Sequence, residues 1–212
     1  MPLFREYVVG SARIAVWKIT ETAEELSSLV ASESAAEAIL LRGEQRRREW
    51  LAVRALLPLL CGDGARIVYD ANGKPLLENA EGFISISHTR GYALLAHSAD
   101  VPFGVDVELA DRSVSAVSGR FMDRADVGQL YPHEAEKAML QRWCVCEALF
   151  KLVGDVGGTY KDNIFMPLPF PAGGGELNVS LRECSGHPDS EYVAHCVEDE
   201  GLLVVTLFAK GV

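Results

Sequence analysis

Asp106 and Glu108 stand two residues apart in Gly104-Val105-Asp106-Val107-Glu108. On a strand, residues i and i+2 share one face, so Val105 and Val107 are expected to pack inward while the two carboxylates project together. Carboxylates this close disfavour each other's ionisation unless a cation bridges them. Oxygen-only donors suit a hard ion such as Mg²⁺. An exposed strand face with two acids is the plainer alternative. Further along, Glu147 and Lys151 are spaced i,i+4 among Trp143, Ala148, Leu149 and Phe150. Such a pair is ordinarily a surface salt bridge on a helix, but a carboxylate in apolar surroundings can acquire a raised pKa suited to base chemistry.

Three further groups could meet an anion. Ser85-Ile86-Ser87-His88-Thr89 ends a strand with a histidine among hydroxyls, able to donate to an anionic oxygen or to cap a turn. Gly73-Lys74-Pro75 is a turn with a projecting ammonium. Arg42, Arg46, Arg47, Arg48 and Arg54 crowd one segment, only partly offset by Glu44 and Glu49. That segment is either a solvated helix face or a surface for an anionic ligand.

Other chemistries are excluded. There is no Walker motif and no G-x-G-x-x-G, so the usual nucleotide cradles are absent. The five cysteines form no C-x-x-C. Cys144 and Cys146, at i,i+2 on a helix, point about 200° apart and cannot chelate one zinc. The five histidines show no metal-ligand spacing, so zinc is not expected. A net charge of −10 argues against nucleic acid as a partner. With 212 residues, 49% of them apolar, the chain can bury a real core and is not disordered. No apolar run approaches the roughly 18 residues that span a bilayer. The first residues lack the basic and apolar regions of an export signal, and an odd number of cysteines fits free thiols. A cytoplasmic location is expected, with no membrane partner.

The elements that must position these residues follow from pattern. Residues 4–19 read as a hairpin turning at Gly10-Ser11. A helix starts at Thr20–Glu25, running to about Val30, and a second starts near Ser34. Trp50, Val53, Leu57 and Leu60 repeat at helical spacing across Glu44–Leu60, with Pro58 in the last turn and Gly62 beyond it. Ile67–Tyr69, Ile84–Ser87, Tyr92–His97 and Gly104–Leu109 read as strands, the last two joined by a turn at Ala99–Pro102. Val117–Phe121 and Asp123–Tyr131 look helical. A long helix opens near Pro132 and ends at Gly154, Pro167–Gly175 is a loop, and Leu177–Arg182, Tyr192–Glu198 and Leu202–Ala209 form a closing meander. The order predicts an α+β fold in two halves, 1–103 and 104–212, each with a long helix.

In order and spacing, Arg46, Trp50–Arg54, Gly73-Lys74-Pro75, Ser85–Thr89, Gly104–Glu108, Arg120-Phe121 and Trp143-x-x-x-Glu147-Ala148-x-x-Lys151 resemble the 4′-phosphopantetheinyl transferases of the longer, monomeric, surfactin-synthetase-activating type. The resemblance covers roughly residues 40–155. It departs from the family where a lysine ordinarily precedes the helix glutamate; Cys146 stands there. The resemblance implies two α+β halves related by a pseudo-two-fold axis, with coenzyme A between them. It implies Mg²⁺ on Asp106, Glu108 and Glu147. Lys74, Ser87 and His88 would contact coenzyme A, and Arg46 or Arg42 its 3′-phosphate. Glu147 would be the base and Lys151 would stabilise charge at the reacting phosphate. The implied partner is an acyl or peptidyl carrier protein, whose serine receives phosphopantetheine as 3′,5′-ADP leaves. A monomer is expected. A coenzyme A-binding or carrier-binding relative without turnover is the alternative that Cys146 raises.

Overall fold

The computed structural model describes residues 3–123, 132–167 and 174–211. It divides into two compact units, Met1–Val101 and Pro102–Val212.

In the first unit, β1 (Leu3–Val9) and β2 (Ala12–Lys18) form the expected hairpin, turning through Gly10 at φ 56°. Helix α1 is only Ala23–Ser27. Thr22 and Glu25 build a capping box at its start. The expected run to Val30 is cut short where the Ser27 and Ser28 hydroxyls donate back to the carbonyls of Ala23 and Glu25, a local bond that competes with helix propagation. Helix α2 (Ser32–Ile39) and the long α3 (Glu44–Cys61) follow, and α3 keeps Pro58 within its last turn and stops at Gly62, φ 87°. A hairpin of β3 (Arg66–Tyr69) and β4 (Pro75–Glu78) stands apart from the main sheet; β4 was not expected from the sequence. Strands β5 (Phe83–Thr89) and β6 (Tyr92–Ser98) complete an antiparallel sheet of order β1-β2-β6-β5. Helix α3 packs on β2 and β6, burying Leu51, Leu56 and Leu60 with Trp17 and Leu95.

The second unit opens with β7 (Phe103–Leu109), followed by a 3₁₀ turn at Ser115–Arg120. Helix α4 (Pro132–Val153) and the one-turn α5 (Tyr160–Asn163) come next. Strands β8 (Ile164–Phe165), β9 (Gly174–Leu181), β10 (Ser190–Asp199) and β11 (Leu202–Ala209) finish the chain. The sheet is antiparallel with order β7-β11-β10-β9-β8, so the meander closes by laying β11 beside β7. Strands β6 and β7, expected as neighbours across a turn, belong to different sheets. Of the helical stretch expected at Asp123–Tyr131, residues 124–131 lie outside the described residues, as do 168–173 of the loop expected at Pro167–Gly175. The architecture is α+β. Among the described residues, no helix is long and apolar enough to cross a membrane.

Helix α4 packs on β7 and β11. Cys144, Val145, Cys146, Ala148 and Leu149 of α4 are fully buried and belong to one core cluster with Val205, Leu207 and Val179. Cys146 therefore sits in the core of this unit, and burial pushes its thiol up to about 12. The position that departs from the family pattern is filled here by a packing side chain. Cys146→Lys is expected to destabilise the protein by about 3 kcal/mol or more, because an ammonium would be interred without a partner. Urea unfolding of the two proteins checks this.

Candidate functional site

The second unit assembles its charged residues at the seam between β7 and α4. Asp106 pairs in register with Val205, Glu108 with Leu203 and Gly104 with Leu207. Directly paired residues share a sheet face, and these three partners belong to the core. The acids of β7 thus lie on the core face, under α4, and both are buried at 5% exposure. This inverts the expectation that Val105 and Val107 face the core while the carboxylates project. The valines are buried too, on the opposite face. The plainer alternative, two exposed acids, also fails.

Gly104 makes the seam possible. A Cβ there would stand 1.9 Å from the carbonyl oxygen of Ala148. Only a residue without a side chain lets α4 come this close to β7, and that approach delivers the helix residues around Ala148 to the strand. Lys151, one turn on, donates to Asp106 Oδ1 at 2.7 Å and to the Val105 carbonyl at 2.9 Å. The i,i+4 spacing suggested Glu147 as its partner; the structure gives it the strand carboxylate instead. A buried carboxylate must be compensated, and the strand acid, more buried than Glu147, takes the cation.

Glu147 accepts from the Tyr160 hydroxyl at 3.2 Å. Its pKa is raised, first by burial and then by the nearby Asp106 carboxylate, against the pull of Lys151, Tyr160 and Arg120. Glu108 is paired with Arg112. Cys144 is fully buried, and its thiol is held well above its ordinary value, first by burial and then by the nearby Asp106 carboxylate. Tyr160 and Arg112 were missed in the sequence. Tyr160 carried no signal, since it reaches Glu147 only because the Thr159–Asp162 capping box starts α5 beside it. Arg112 had one, four residues beyond Glu108 at the strand's end.

The first unit builds a second ionic cluster, at the seam of α3 and β5. Glu49 on α3 is buried, and its carboxylate lies 3.5 Å from His88 Nδ1 and 3.9 Å from Arg46 Nη1. Gln45 donates to it at 2.9 Å. Arg46 and His88, forty-two residues apart in sequence, stand 3.2 Å from each other. Ser87 is not with them: it pairs with Leu94 and is buried on the other face of the sheet, as strand alternation requires. Lys74 is exposed at the end of a turn in which Asp70 Oδ1 accepts from the backbone of Asn72 and Lys74. Arg42 is exposed between α2 and α3.

The arginine-rich helix is neither a solvated face nor one continuous basic surface. Arg47 donates to the carbonyls of Leu41 and Ile39 at the end of α2, and Arg48 to Ile19. Arg54 is buried over the Trp50 ring and donates to the Tyr69 hydroxyl at 3.3 Å. Its guanidinium spreads charge over a planar group that stacks on aromatics.

Oxygen donors from Asp106, Glu108 and Glu147 suit a hard divalent ion chemically, and Glu147 is raised first by burial and then by the Asp106 charge, the second of which such an ion would offset. As arranged, however, the carboxylates are held by Lys151, Arg112 and Tyr160. Among the described residues, no group of three or more His, Cys, Asp or Glu side chains is set to hold a metal. No family model matches the chain, and no curated protein matches its sequence.

Two outcomes follow from this geometry. Gly104→Ala is expected to destabilise the protein by about 1–3 kcal/mol, since backbone rather than a flexible side chain blocks the added methyl; the urea midpoint reports it. The pH dependence of stability should carry Glu147's signature. Its folded pKa lies above its unfolded one, so the folded state holds the proton more tightly. Glu147's contribution to stability therefore falls as pH rises from the ordinary carboxylate value through the raised one. Glu147→Gln removes that fall, so the variant should gain on the wild type across this window in urea titrations run pH by pH.

Proposed function

We propose that this chain is a Mg²⁺-dependent 4′-phosphopantetheinyl transferase that moves phosphopantetheine from coenzyme A to a serine of an acyl or peptidyl carrier protein. The observation that carries the proposal is the seam of β7 and α4. Two motifs about forty residues apart, Gly104–Glu108 and Glu147–Lys151, meet there as a buried acid, a glutamate of raised pKa and an ammonium. The finer fold assignment, two similar halves about a pseudo-two-fold axis, belongs to the same proposal. It is supported by each unit laying one long helix on an antiparallel sheet. A cytoplasmic location belongs to it too, in keeping with five free thiols.

The chemistry asked of these residues is limited. The carrier serine oxygen attacks the β-phosphorus of coenzyme A, the bond from that phosphorus to the oxygen of 3′,5′-ADP breaks, and the hydroxyl proton goes to Glu147. Burial and the Asp106 charge raise Glu147's proton affinity toward the range of a useful general base. Lys151 is available to offset charge on the phosphate oxygens. Asp106, Glu108 and Glu147 would hold Mg²⁺, which when bound neutralises pyrophosphate charge. In the first unit, Arg46, His88 and Lys74 are the donors offered to the phosphates of coenzyme A, and Arg42 is the second candidate for its 3′-phosphate. Ser87 is buried on the other sheet face and does not stand with these donors.

Incubation with coenzyme A, Mg²⁺ and apo carrier proteins of the fatty-acid, peptide-synthetase and polyketide kinds, followed by intact mass, tests this. A phosphopantetheine mass gain with release of 3′,5′-ADP is expected. Asp106→Ala should abolish it, and Glu147→Gln should lower kcat by about 10²–10⁴-fold while retaining most of the affinity for coenzyme A. No mass gain on any carrier overturns the proposal.

A further inference from the structure

We propose that the corner of the first unit where α1, α2 and α3 meet is a docking surface for a basic, apolar segment of a partner protein. The proposal stands on this unit alone and does not depend on the transfer reaction.

Residues of the three helices line an open cavity of about 380 Å³. Leu51 and Ala38 give it a buried apolar lining, and Glu24 and Glu44 bring two carboxylates to it. At the end of α2 the chain leaves two consecutive large apolar side chains in water: Ile39, which also lines the cavity, is 70% exposed, and Leu40 is 83% exposed. A single exposed leucine is ordinary; two together at the mouth of a cavity form a contact surface. Their backbone is pinned. Arg47, the one cation in the lining, donates to the Leu41 carbonyl at 2.9 Å and to the Ile39 carbonyl at 3.3 Å. The corner is therefore already shaped for a partner, and little ordering is left to oppose binding.

Charge selects the occupant. Residues 20–44 contain six glutamates and one arginine, so this stretch carries half of the chain's net charge of −10. Glu25 accepts from Thr22 in the α1 cap, and Glu44 accepts from the Ala23 amide at 3.1 Å. Accepting from a neutral donor leaves a carboxylate's charge in place. Glu24 is exposed and has no hydrogen bond or ion pair among the described residues. Such a surface repels nucleic acid and anionic membranes. In a symmetric contact between two copies the same patch would meet itself, acid against acid. A protein segment that offers an apolar side chain to the cavity, with lysine or arginine beside it, satisfies both the apolar surface and its field.

Selection of random twelve-residue peptides on the full-length protein tests this without presuming a sequence. The enriched peptides should combine lysine or arginine with leucine, isoleucine or an aromatic residue. In fluorescence anisotropy, Leu40→Ser should weaken their binding about tenfold, and Glu24→Lys about threefold or more. Glu183→Lys, the same change of charge at an exposed site of the second unit, should leave binding as in the wild type. Leu40 and Glu24 are exposed, so both variants should keep the wild-type Tm. The wild-type complex gives a readout without any substitution: peptide should slow hydrogen exchange within residues 22–47. Failure to enrich any peptide overturns the proposal, as does enrichment of peptides without basic residues. Equal binding by Leu40→Ser and the wild type overturns it, and so does protection that lies wholly outside residues 22–47. A dimer in sedimentation equilibrium that Leu40→Ser dissolves assigns the corner to a second copy and overturns it too. Leu40-dependent binding to phosphatidylserine vesicles does the same in favour of a membrane.

Discussion

A carboxylate buried between a strand and a helix must find a cation, and the second unit is organised around that requirement. Asp106 sits on the core face of β7, where Val205 is its register partner and α4 its cover. Burial of this kind is tolerated only with close compensation. Lys151 supplies it from α4, and it can reach the strand because Gly104 leaves no side chain between strand and helix. The rest of the seam follows. Glu147, one helical turn before Lys151, is brought close enough to Asp106 to feel its charge and takes the Tyr160 hydroxyl as its own partner. Glu108 is served by Arg112.

The first unit solves the same problem with the roles exchanged. There the buried acid, Glu49, is on the helix, and a basic group, His88, comes from the strand. Arg46 and Gln45 complete the set from the helix itself. In both units the long helix is thus tied to its sheet twice, by apolar burial and by one compensated carboxylate. Apolar burial supplies most of the favourable free energy. The ionic contact is directional, and it specifies which residues face each other across the seam, a role for which buried polar contacts are suited.

The arginines of α3 show how little a run of charges says about a surface. Five guanidiniums within one segment could have formed a basic face. Instead Arg47 and Arg48 close carbonyls at the ends of neighbouring elements, and Arg54 is buried against Trp50 and Tyr69. Arg46 alone of these joins the ionic cluster with His88. The cations that remain for a ligand are fewer than the composition suggests, and they are set by what the other arginines are already holding.

Local elements were legible in the residues themselves. The Gly10-Ser11 hairpin, the start of α1 within Thr20–Glu25, the α3 period and its stop at Gly62, and the closing meander all depend on contacts within a few positions, which a one-dimensional pattern records. The pairing of Arg46 with His88, and of Asp106 with Lys151, was not legible, because residues some forty positions apart are joined only when a helix is laid on a sheet. The sharpest case is β7. Phe103–Leu109 alternates valine with acid, and alternation ordinarily assigns the valines to the core. Here both faces are buried, so alternation carries no information about which face looks at the helix. That choice belonged to α4: it brings a lysine and needs a glycine beneath it, and only the face of Gly104, Asp106 and Glu108 offers both the space and the charge.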